Sequence, residues 1–246
     1  MDSRDRKIEW GRLFIRAAPL FVFFFVGIFG GAFILHPDGG LPPQWDPFAP
    51  LSVTDPVTPL TTWKLERTAA SPELCYAALE DYAEIADREP ILSSNENCGA
   101  ENAVSIRALG DTRLNVETAC ATALHLSMWE HHVVQPAAEF HLGARVERIL
   151  DQGSFNCRPI RTSSGSSTRW STHAKALAID VRGFRFSDGS ETTLLQDYFE
   201  LNETAFFLED IRDGACEWFG VVLGPDYNAL HADHFHLQVE GWGTCR

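Results

Sequence analysis

The stretch STHAKALAIDVRGFRF, residues 171–186, gives the clearest indication of how this chain folds. Residues 176–186 are rich in Val, Ile and Phe, and polar residues alternate with apolar ones near the end, which predicts a β-strand. The turn-forming residues 187–190 (SDGS) end this strand and precede another short one. His173 lies in the loop before the strand and Asp180 lies a few residues inside it, so their side chains can converge on one point.

The segments on either side of this strand predict both helices and strands. A helix kinked at Pro136 is expected over 120–142, because the apolar residues have helical spacing and proline disrupts a helix interior. Other patterns predict strands at 145–155, 218–223 and 234–239, a polar loop at 161–171, and a helix at 204–212 ended by Gly214. Helices that come first and antiparallel strands that come later indicate an α+β domain.

The N-terminal region has a different composition. Residues 1–16 carry five basic and three acidic side chains and form a basic tail, whereas residues 17–35 are an uninterrupted apolar run. As a helix this run reaches about 28 Å, close to the hydrocarbon thickness of a bilayer, and it is predicted to be a transmembrane signal-anchor. The positive-inside rule then places the N-terminus in the cytoplasm and the rest of the chain outside. A signal peptide that is cleaved to leave a secreted protein is the alternative interpretation.

A proline-rich segment follows the apolar run. Residues 36–62 contain seven of the 13 prolines, which predicts an extended, semi-rigid linker. The folded domain is then expected at residues 63–246.

Charge and motif content restrict the class of partner and of enzyme. The formal net charge is −14, and this acidic balance argues against nucleic acid, whose phosphates are bound by clusters of Lys and Arg. The G-x-S-x-G motif of one large class of serine hydrolases does not occur in the sequence.

All six cysteines lie in the predicted domain. They are Cys75, Cys98, Cys120, Cys157, Cys216 and Cys245. An even number confined to this region predicts disulfide bonds formed in an oxidising compartment. Several pairings are possible, and pairing between sequence neighbours is expected: Cys75–Cys98, Cys120–Cys157 and Cys216–Cys245.

A second histidine-rich stretch, HADHFH at residues 231–236, completes a candidate metal site. Side chains alternate along a strand, so His234 and His236 project from the same face, and one can bind a metal while the other lies just outside its ligands. Together with His173 and Asp180, this stretch offers imidazoles and a carboxylate, a ligand set that suits zinc. Three protein ligands leave a fourth position for water, as in catalytic zinc sites.

These motifs resemble two groups of proteins. S-x-H-(x)6-D followed by a late H-x-H is similar to the zinc peptidases that cleave peptidoglycan peptides, which include D-Ala-D-Ala dipeptidases and carboxypeptidases and the penicillin-insensitive murein endopeptidase. The signalling domain of hedgehog proteins shares their fold. The motifs C-x-x-A-x-x-L-x-x-W (120–129), GSFNCR (153–158), DGAC (213–216) and F-G-x-V-L-G-P-D-Y-N (219–228) resemble the bacterial extensin-like C-terminal domain family. This resemblance extends from about Cys75 to Arg246.

The resemblance implies a fold and a set of ligands. The expected fold is a hedgehog/D-Ala-D-Ala-peptidase-like zinc domain, α+β, with a small antiparallel sheet and flanking helices, preceded by the transmembrane helix. By motif, His173, Asp180 and His236 match the three ligands of Zn²⁺. His231 and His234 match the histidines that take part in proton transfer, and they are the expected catalytic residues.

Three further residues are assigned from the same resemblance. Arg158 is expected to bind substrate, as an arginine of the carboxypeptidase branch does. Ser171 is assigned with Arg158 to substrate binding, and it is expected to orient the loop rather than to act as a nucleophile. Ala176 occupies the glycine position of the family pattern S-x-H-x-x-G-x-A-x-D, and if this position has a positive φ, alanine strains the loop by about 1 kcal/mol.

The expected function is a zinc-dependent hydrolase that cleaves amide bonds of peptidoglycan stem peptides or cross-links. A non-catalytic zinc-containing module that binds the cell wall or another partner is the alternative. The resemblance implies a bacterial inner-membrane protein with one span and a periplasmic domain. The expected partners are peptidoglycan peptides and the inner membrane.

Overall fold

A computed structural model describes residues 21–31, 40–162 and 165–246. The chain divides into two compact units, Met1–Ala49 and Pro50–Arg246. In the first unit residues 21–31 are helical and Pro43–Trp45 form a single 3-10 turn.

The transmembrane helix predicted at residues 17–35 is not supported. No helix within the described ranges combines the length and the apolar character needed to cross a membrane. The described helical residues, 21–31, are fewer than the ~20 that a span requires. Residues 17–20 and 32–35, like the predicted basic tail, lie outside the described residues.

The second unit is α+β, and its strands outnumber the few that were expected. Its strands are β1 (Ala83–Asp87), β2 (Ala103–Leu109), β3 (Thr112–Ala119), β4 (Val146–Gly153), β5 (Pro159–Thr162), β6 (Gly165–Trp170), β7 (Ala178–Phe186), β8 (Glu191–Thr193), β9 (Val221–Leu223), β10 (Phe235–Gln238) and β11 (Thr244–Cys245). Its α-helices are α1 (Thr61–Ala69), α2 (Pro72–Glu80), α3 (Cys120–Trp129), α4 (Gln135–Leu142), α5 (Leu194–Asp197) and α6 (Glu203–Ala215).

Nine of these strands form one sheet in the order β1-β2-β3-β4-β7-β10-β9-β11, with β8 paired to β7. The pairs β3–β4 and β9–β11 are parallel, and the other pairs are antiparallel. The prediction of a small antiparallel sheet is therefore wrong. It missed the β2–β3 hairpin, although residues 112–119 alternate between buried and exposed positions as a half-buried strand does.

The order of elements also differs from the prediction, because β1, β2 and β3 precede α3. Gly110 makes the tight connection between β2 and β3 with φ 51°, a conformation that glycine adopts at little cost. Helices therefore do not all come first along the chain.

The helix predicted over 120–142 is present as α3 and α4 with one π-helical turn, Glu130–Val134, between them. Pro136 directly follows the π-helical turn, and the backbone is helical on both sides of it, so this residue without an N–H lies inside a continuous helical segment at the point where the hydrogen-bond pattern changes. Every residue of α3 except Ala121 is buried, so this helix is the centre of the core. The indole N–H of Trp129 donates to the carbonyl of Ile211 at 2.8 Å and ties α3 to α6.

Two boundaries and one loop differ from the predictions. Leu51 and Val53 belong to the core although they lie in the predicted linker. Gly214 lies inside α6 rather than ending it.

The predicted polar loop at 161–171 is largely strand, since β6 pairs with β5 in a separate two-stranded hairpin. Its residues are mostly exposed on both faces, so it lacks the apolar alternation by which strands are predicted.

Three disulfide bonds are present, but only one was predicted correctly. Cys216–Cys245 is confirmed, whereas the predicted Cys75–Cys98 and Cys120–Cys157 are wrong. The structure has Cys75–Cys120 and Cys98–Cys157. Because α2 packs directly on α3, Cys75 meets Cys120 and not its neighbour in sequence.

Ala176, immediately before β7, has φ 52° and is the only non-glycine residue with positive φ among the described residues. Its side chain is fully buried. Its carbonyl oxygen accepts hydrogen bonds from the hydroxyls of Thr118 (3.1 Å) and Thr122 (2.8 Å) and from the backbone N–H of Ala119 (3.2 Å). These bonds hold the left-handed conformation that the sequence pattern indicated.

Replacing Ala176 by glycine is expected to leave the free energy of unfolding about unchanged. The loss of a buried methyl and the added freedom of glycine cost about 1.5 kcal/mol, and relief of the left-handed strain returns about 1–2 kcal/mol. Ala178→Gly, in β7 and equally buried, is the control and is expected to lose about 1.5 kcal/mol. Urea denaturation measures both, and equal losses in the two variants would show that Ala176 is unstrained.

Candidate metal centre

Three side chains converge beside the β7–β10 pair. His173 Nε2 lies 3.1 Å from His236 Nδ1 and 3.2 Å from Asp180 Oδ1, and His236 Nδ1 lies 2.9 Å from Asp180 Oδ1. Ligand atoms about 2.0–2.1 Å from a tetrahedral zinc ion are separated by about 3.3 Å. The three potential ligand atoms, His173 Nε2, Asp180 Oδ1 and His236 Nδ1, therefore form a triangle of nearly the size that such an ion requires.

Two local structures bring these residues together. Asp180 in β7 and His236 in β10 are directly opposite each other in the antiparallel register. His173 lies in the 3-10 turn Thr172–Lys175. Ser171 caps the start of this turn, because the Ser171 hydroxyl accepts a hydrogen bond from the backbone N–H of His173 at 3.4 Å. The turn ends at Ala176, whose left-handed conformation leads the chain into β7.

The outer nitrogen of each imidazole in this cluster has an oxygen partner. His173 Nδ1 lies 2.8 Å from the carbonyl oxygen of Ser154, and His236 Nε2 lies 3.3 Å from Gln238 Oε1. Because a carbonyl or amide oxygen only accepts, both outer nitrogens carry the proton. The hydroxyl of Thr172 donates to the same amide oxygen at 3.0 Å and fixes its orientation.

The inner nitrogens are consequently lone-pair acceptors that face a carboxylate. Three acceptors at 2.9–3.2 Å repel one another unless a cation or a shared proton lies between them. This arrangement of oriented imidazoles around a common point is typical of metal sites.

His234 lies beside the cluster but outside the triangle. Its Nδ1 donates to the carboxylate of Asp233 at 2.8 Å, and its Nε2 is 3.6 Å from Asp180 Oδ1. One histidine of the H-x-H motif, His236, therefore belongs to the cluster, and the other, His234, lies just outside it.

His231 lies next to both histidines of the H-x-H motif, with its ring centroid 5.9 Å from that of His236 and 5.3 Å from that of His234. Its Nδ1 is 2.9 Å from Asn228 Oδ1. Burial, with the two neighbouring histidines, lowers the pKa of His231 to about 4. The ring is therefore neutral at pH 7, with its proton on Nδ1 and an unprotonated Nε2.

Arg158 and Ser171, assigned to substrate binding, have different surroundings. Ser171 caps the turn that carries His173 and is buried, so it orients that loop. Arg158 has a buried Nε without a hydrogen-bond partner, and within the described part of the chain its guanidinium donates only to the carbonyl of Pro159, at 3.4 Å. Its charge acts on Asp180, but no contact with the three clustered side chains places it among them.

Four residues that orient the site were not identified from the sequence: Ser154, Asn228, Asp233 and Gln238. Two of them carried a recognisable signal. Gln238 follows His236 by two positions in a strand and so projects from the same face, and Asn228 caps the short turn that contains His231. Ser154 acts through its backbone carbonyl, and because every residue has such a carbonyl, the residue type at this position gives no signal.

Comparison with known proteins identifies a family for this chain but no individual protein that is significantly similar to it. The sequence model of the family described as Extensin-like protein C-terminus matches residues 73–246. Neither the curated proteins nor the solved structures include a significant match. The matched region covers well over half of the chain and contains both histidine motifs, all six cysteines and every strand of the nine-stranded sheet. The chain therefore belongs to the extensin-like C-terminus family.

Proposed function

We propose that this protein is a zinc-dependent hydrolase that cleaves amide bonds in peptidoglycan stem peptides or cross-links. The observation that carries the proposal is the triangle of acceptors formed by His173, Asp180 and His236, with both imidazole tautomers set by outer hydrogen bonds. The substrate class rests on the resemblance of S-x-H-(x)6-D and H-x-H to the peptidoglycan zinc peptidases.

The residues present fit a zinc ion. Two neutral imidazoles and one carboxylate are common zinc ligands, and a three-residue set is the number found in catalytic sites. When bound, zinc would supply a Lewis acid for the scissile carbonyl and would lower the pKa of water.

His231 is the residue of this chain best suited to move a proton. Its Nε2 is unprotonated at neutral pH, and its Nδ1–H is anchored to Asn228, so the ring is oriented to accept a proton at Nε2 and to return it to a leaving amine. His234, whose Nδ1–H is held by Asp233, has its Nε2 3.6 Å from Asp180 Oδ1 and is the second candidate to accept a proton beside the cluster.

The three disulfide bonds support a location outside the reducing cytoplasm, as the proposed substrate requires. In a bacterial cell with an outer membrane this location is the periplasm.

His173→Ala and His236→Ala are each expected to abolish zinc binding, because two ligands alone do not hold the ion. Elemental analysis of the purified chain measures zinc per molecule, with one expected in the wild type. His141→Gln, which changes a histidine that is paired with Asp210 rather than with the cluster, is expected to keep the zinc. Stoichiometric zinc in His173→Ala or His236→Ala would contradict the ligand assignment.

Gln238→Leu is expected to weaken zinc affinity about 10- to 100-fold while leaving the three ligands in place, since the amide no longer orients His236. Competition with a chelator of known affinity gives the change. Gln196→Leu, on the exposed side of α5, is the matched control and should retain wild-type affinity. The same affinity in Gln238→Leu and in the control would show that His236 needs no such support.

His231→Ala is expected to keep zinc and to lower hydrolysis about 10²- to 10⁴-fold, the usual contribution of a general acid–base residue. Chromatography of murein after incubation with the protein measures new products. If wild type binds zinc but releases no product, the protein is the non-catalytic zinc module instead. If His231→Ala is as active as wild type, His231 is not the proton-transfer residue.

A further inference from the structure

The β5–β6 hairpin, residues Pro159–Thr162 and Gly165–Trp170, belongs to a basic stretch of an acidic protein. The chain has a formal net charge of −14, yet residues 152–179 contain no aspartate or glutamate. The basic residues of this stretch are Arg158, Arg161, Arg169 and Lys175. A surface with charge of one sign on a protein of the opposite sign attracts ligands that the rest of the molecule repels, here anions.

The arginines of the hairpin have no carboxylate of the protein as a partner. Arg161 in β5 and Arg169 in β6 are exposed, and neither forms an ion pair within the described part of the chain. Burial and the nearby charge of Arg161 lower the pKa of Arg158, at the base of the hairpin, whereas Asp180 acts in the opposite direction. Arg158 and Arg161 are therefore close enough to repel each other, and an anion bound beside them would offset this repulsion.

The backbone of the hairpin has a free edge. β5 and β6 form a sheet of their own and make their main contacts with each other, so one edge of each strand is not paired with another strand in the described ranges. β5 begins with Pro159, which has no N–H to donate, whereas β6 contains no proline and is exposed at every residue except Ser167. The edge of β6 is therefore the better place for an added strand.

The hairpin starts and ends beside the turn that carries His173. The carbonyl of Arg158 accepts from the backbone N–H of Ser171 at 3.1 Å, and Ser171 caps that turn. β6 ends at Trp170, directly before Ser171. A chain that lies along β6 consequently has one end next to the candidate metal centre.

We propose that the free edge of β6 binds an extended acidic peptide as a third strand of the hairpin. Main-chain hydrogen bonds to an edge strand supply affinity for any extended peptide, and a third strand stabilises a hairpin that is marginal with two. Arg161 and Arg169 add the preference for carboxylates, which guanidinium groups bind with paired hydrogen bonds. Binding at this surface requires neither zinc nor hydrolysis.

The test is a fluorescence-anisotropy titration of the full chain with a labelled peptide of consecutive glutamates. Consecutive glutamates place carboxylates on both faces of an extended strand. Blocked peptide ends exclude recognition of a terminal carboxylate, and a chelator in the buffer keeps the result independent of the proposed hydrolase. The same peptide with glutamines is expected to bind about tenfold more weakly. Equal binding of the two peptides would overturn the proposal.

A pair of double variants tests the location. Arg161→Gln with Arg169→Gln is expected to weaken binding of the glutamate peptide about tenfold. The control is Arg107→Gln with Arg113→Gln, which removes the same charge from two exposed arginines on the neighbouring strands β2 and β3. Those strands are paired on both sides, so they have no free edge, and the control should bind as wild type does. Equal weakening in the two variants would show that only net charge matters.

Methylated peptides test the added strand itself. Successive backbone N–H groups of an extended peptide point to opposite edges, so N-methylation of alternate amides removes the donors of one edge and keeps every carboxylate. Of the two alternate patterns, one is expected to weaken binding about tenfold and the other to leave it unchanged. If both patterns bind as the unmethylated peptide does, no strand is added. Tighter binding of inorganic polyphosphate than of the glutamate peptide would likewise overturn the assignment to a peptide.

Discussion

The antiparallel pairing of β7 with β10 is the interaction on which the rest of the structure depends. It places Asp180 opposite His236 and Val181 opposite Phe235. Ile179, Val181, Phe235 and Leu237 are fully buried in the core, so the alternate positions are left to face the metal centre. A slip of one residue would exchange the ligands with core side chains, and the burial of these four apolar residues therefore also sets the geometry of the site.

The candidate metal centre is joined to the core through hydrogen bonds to backbone carbonyls. The carbonyl of Ala176 accepts hydrogen bonds from the hydroxyls of Thr118 in β3 and Thr122 in α3. The carbonyl of Ser154, just after β4, accepts a hydrogen bond from the imidazole of His173. The hydroxyl of Thr122 donates to no other group in the described part of the chain, so it is satisfied only if the loop between Ser171 and Ala176 takes one conformation. Polar groups in the interior thus specify a loop that apolar packing alone would leave free.

The candidate site could be predicted from the sequence more fully than the fold. His173, Asp180 and His236 followed from motif spacing and strand alternation, both of which are local properties. The sheet was underestimated because β2, β3 and the two-residue turn Gly110–Asp111 between them were not recognised as a hairpin, and because the β5–β6 hairpin is polar on both faces. Cys75–Cys120 and Cys98–Cys157 depend on which distant segments meet in space, and spacing along the chain carries no information about that.

The Cys98–Cys157 bond lies beside the loop that presents His173. Gly99 N–H donates to the carbonyl of Ala174 at 2.8 Å, and Asn156 N–H donates to the carbonyl of His173 at 2.9 Å. The two residues next to this disulfide therefore both hydrogen-bond to the turn that contains His173. A link that closes a loop of 59 residues removes about 4 kcal/mol of chain entropy from the unfolded state. Maturation therefore has an order: a newly made chain in reducing surroundings already contains all three residues of the candidate site, but the support around His173 is completed only by oxidation. Formation of the Cys98–Cys157 bond and ordering of the candidate site become successive stages of a single process.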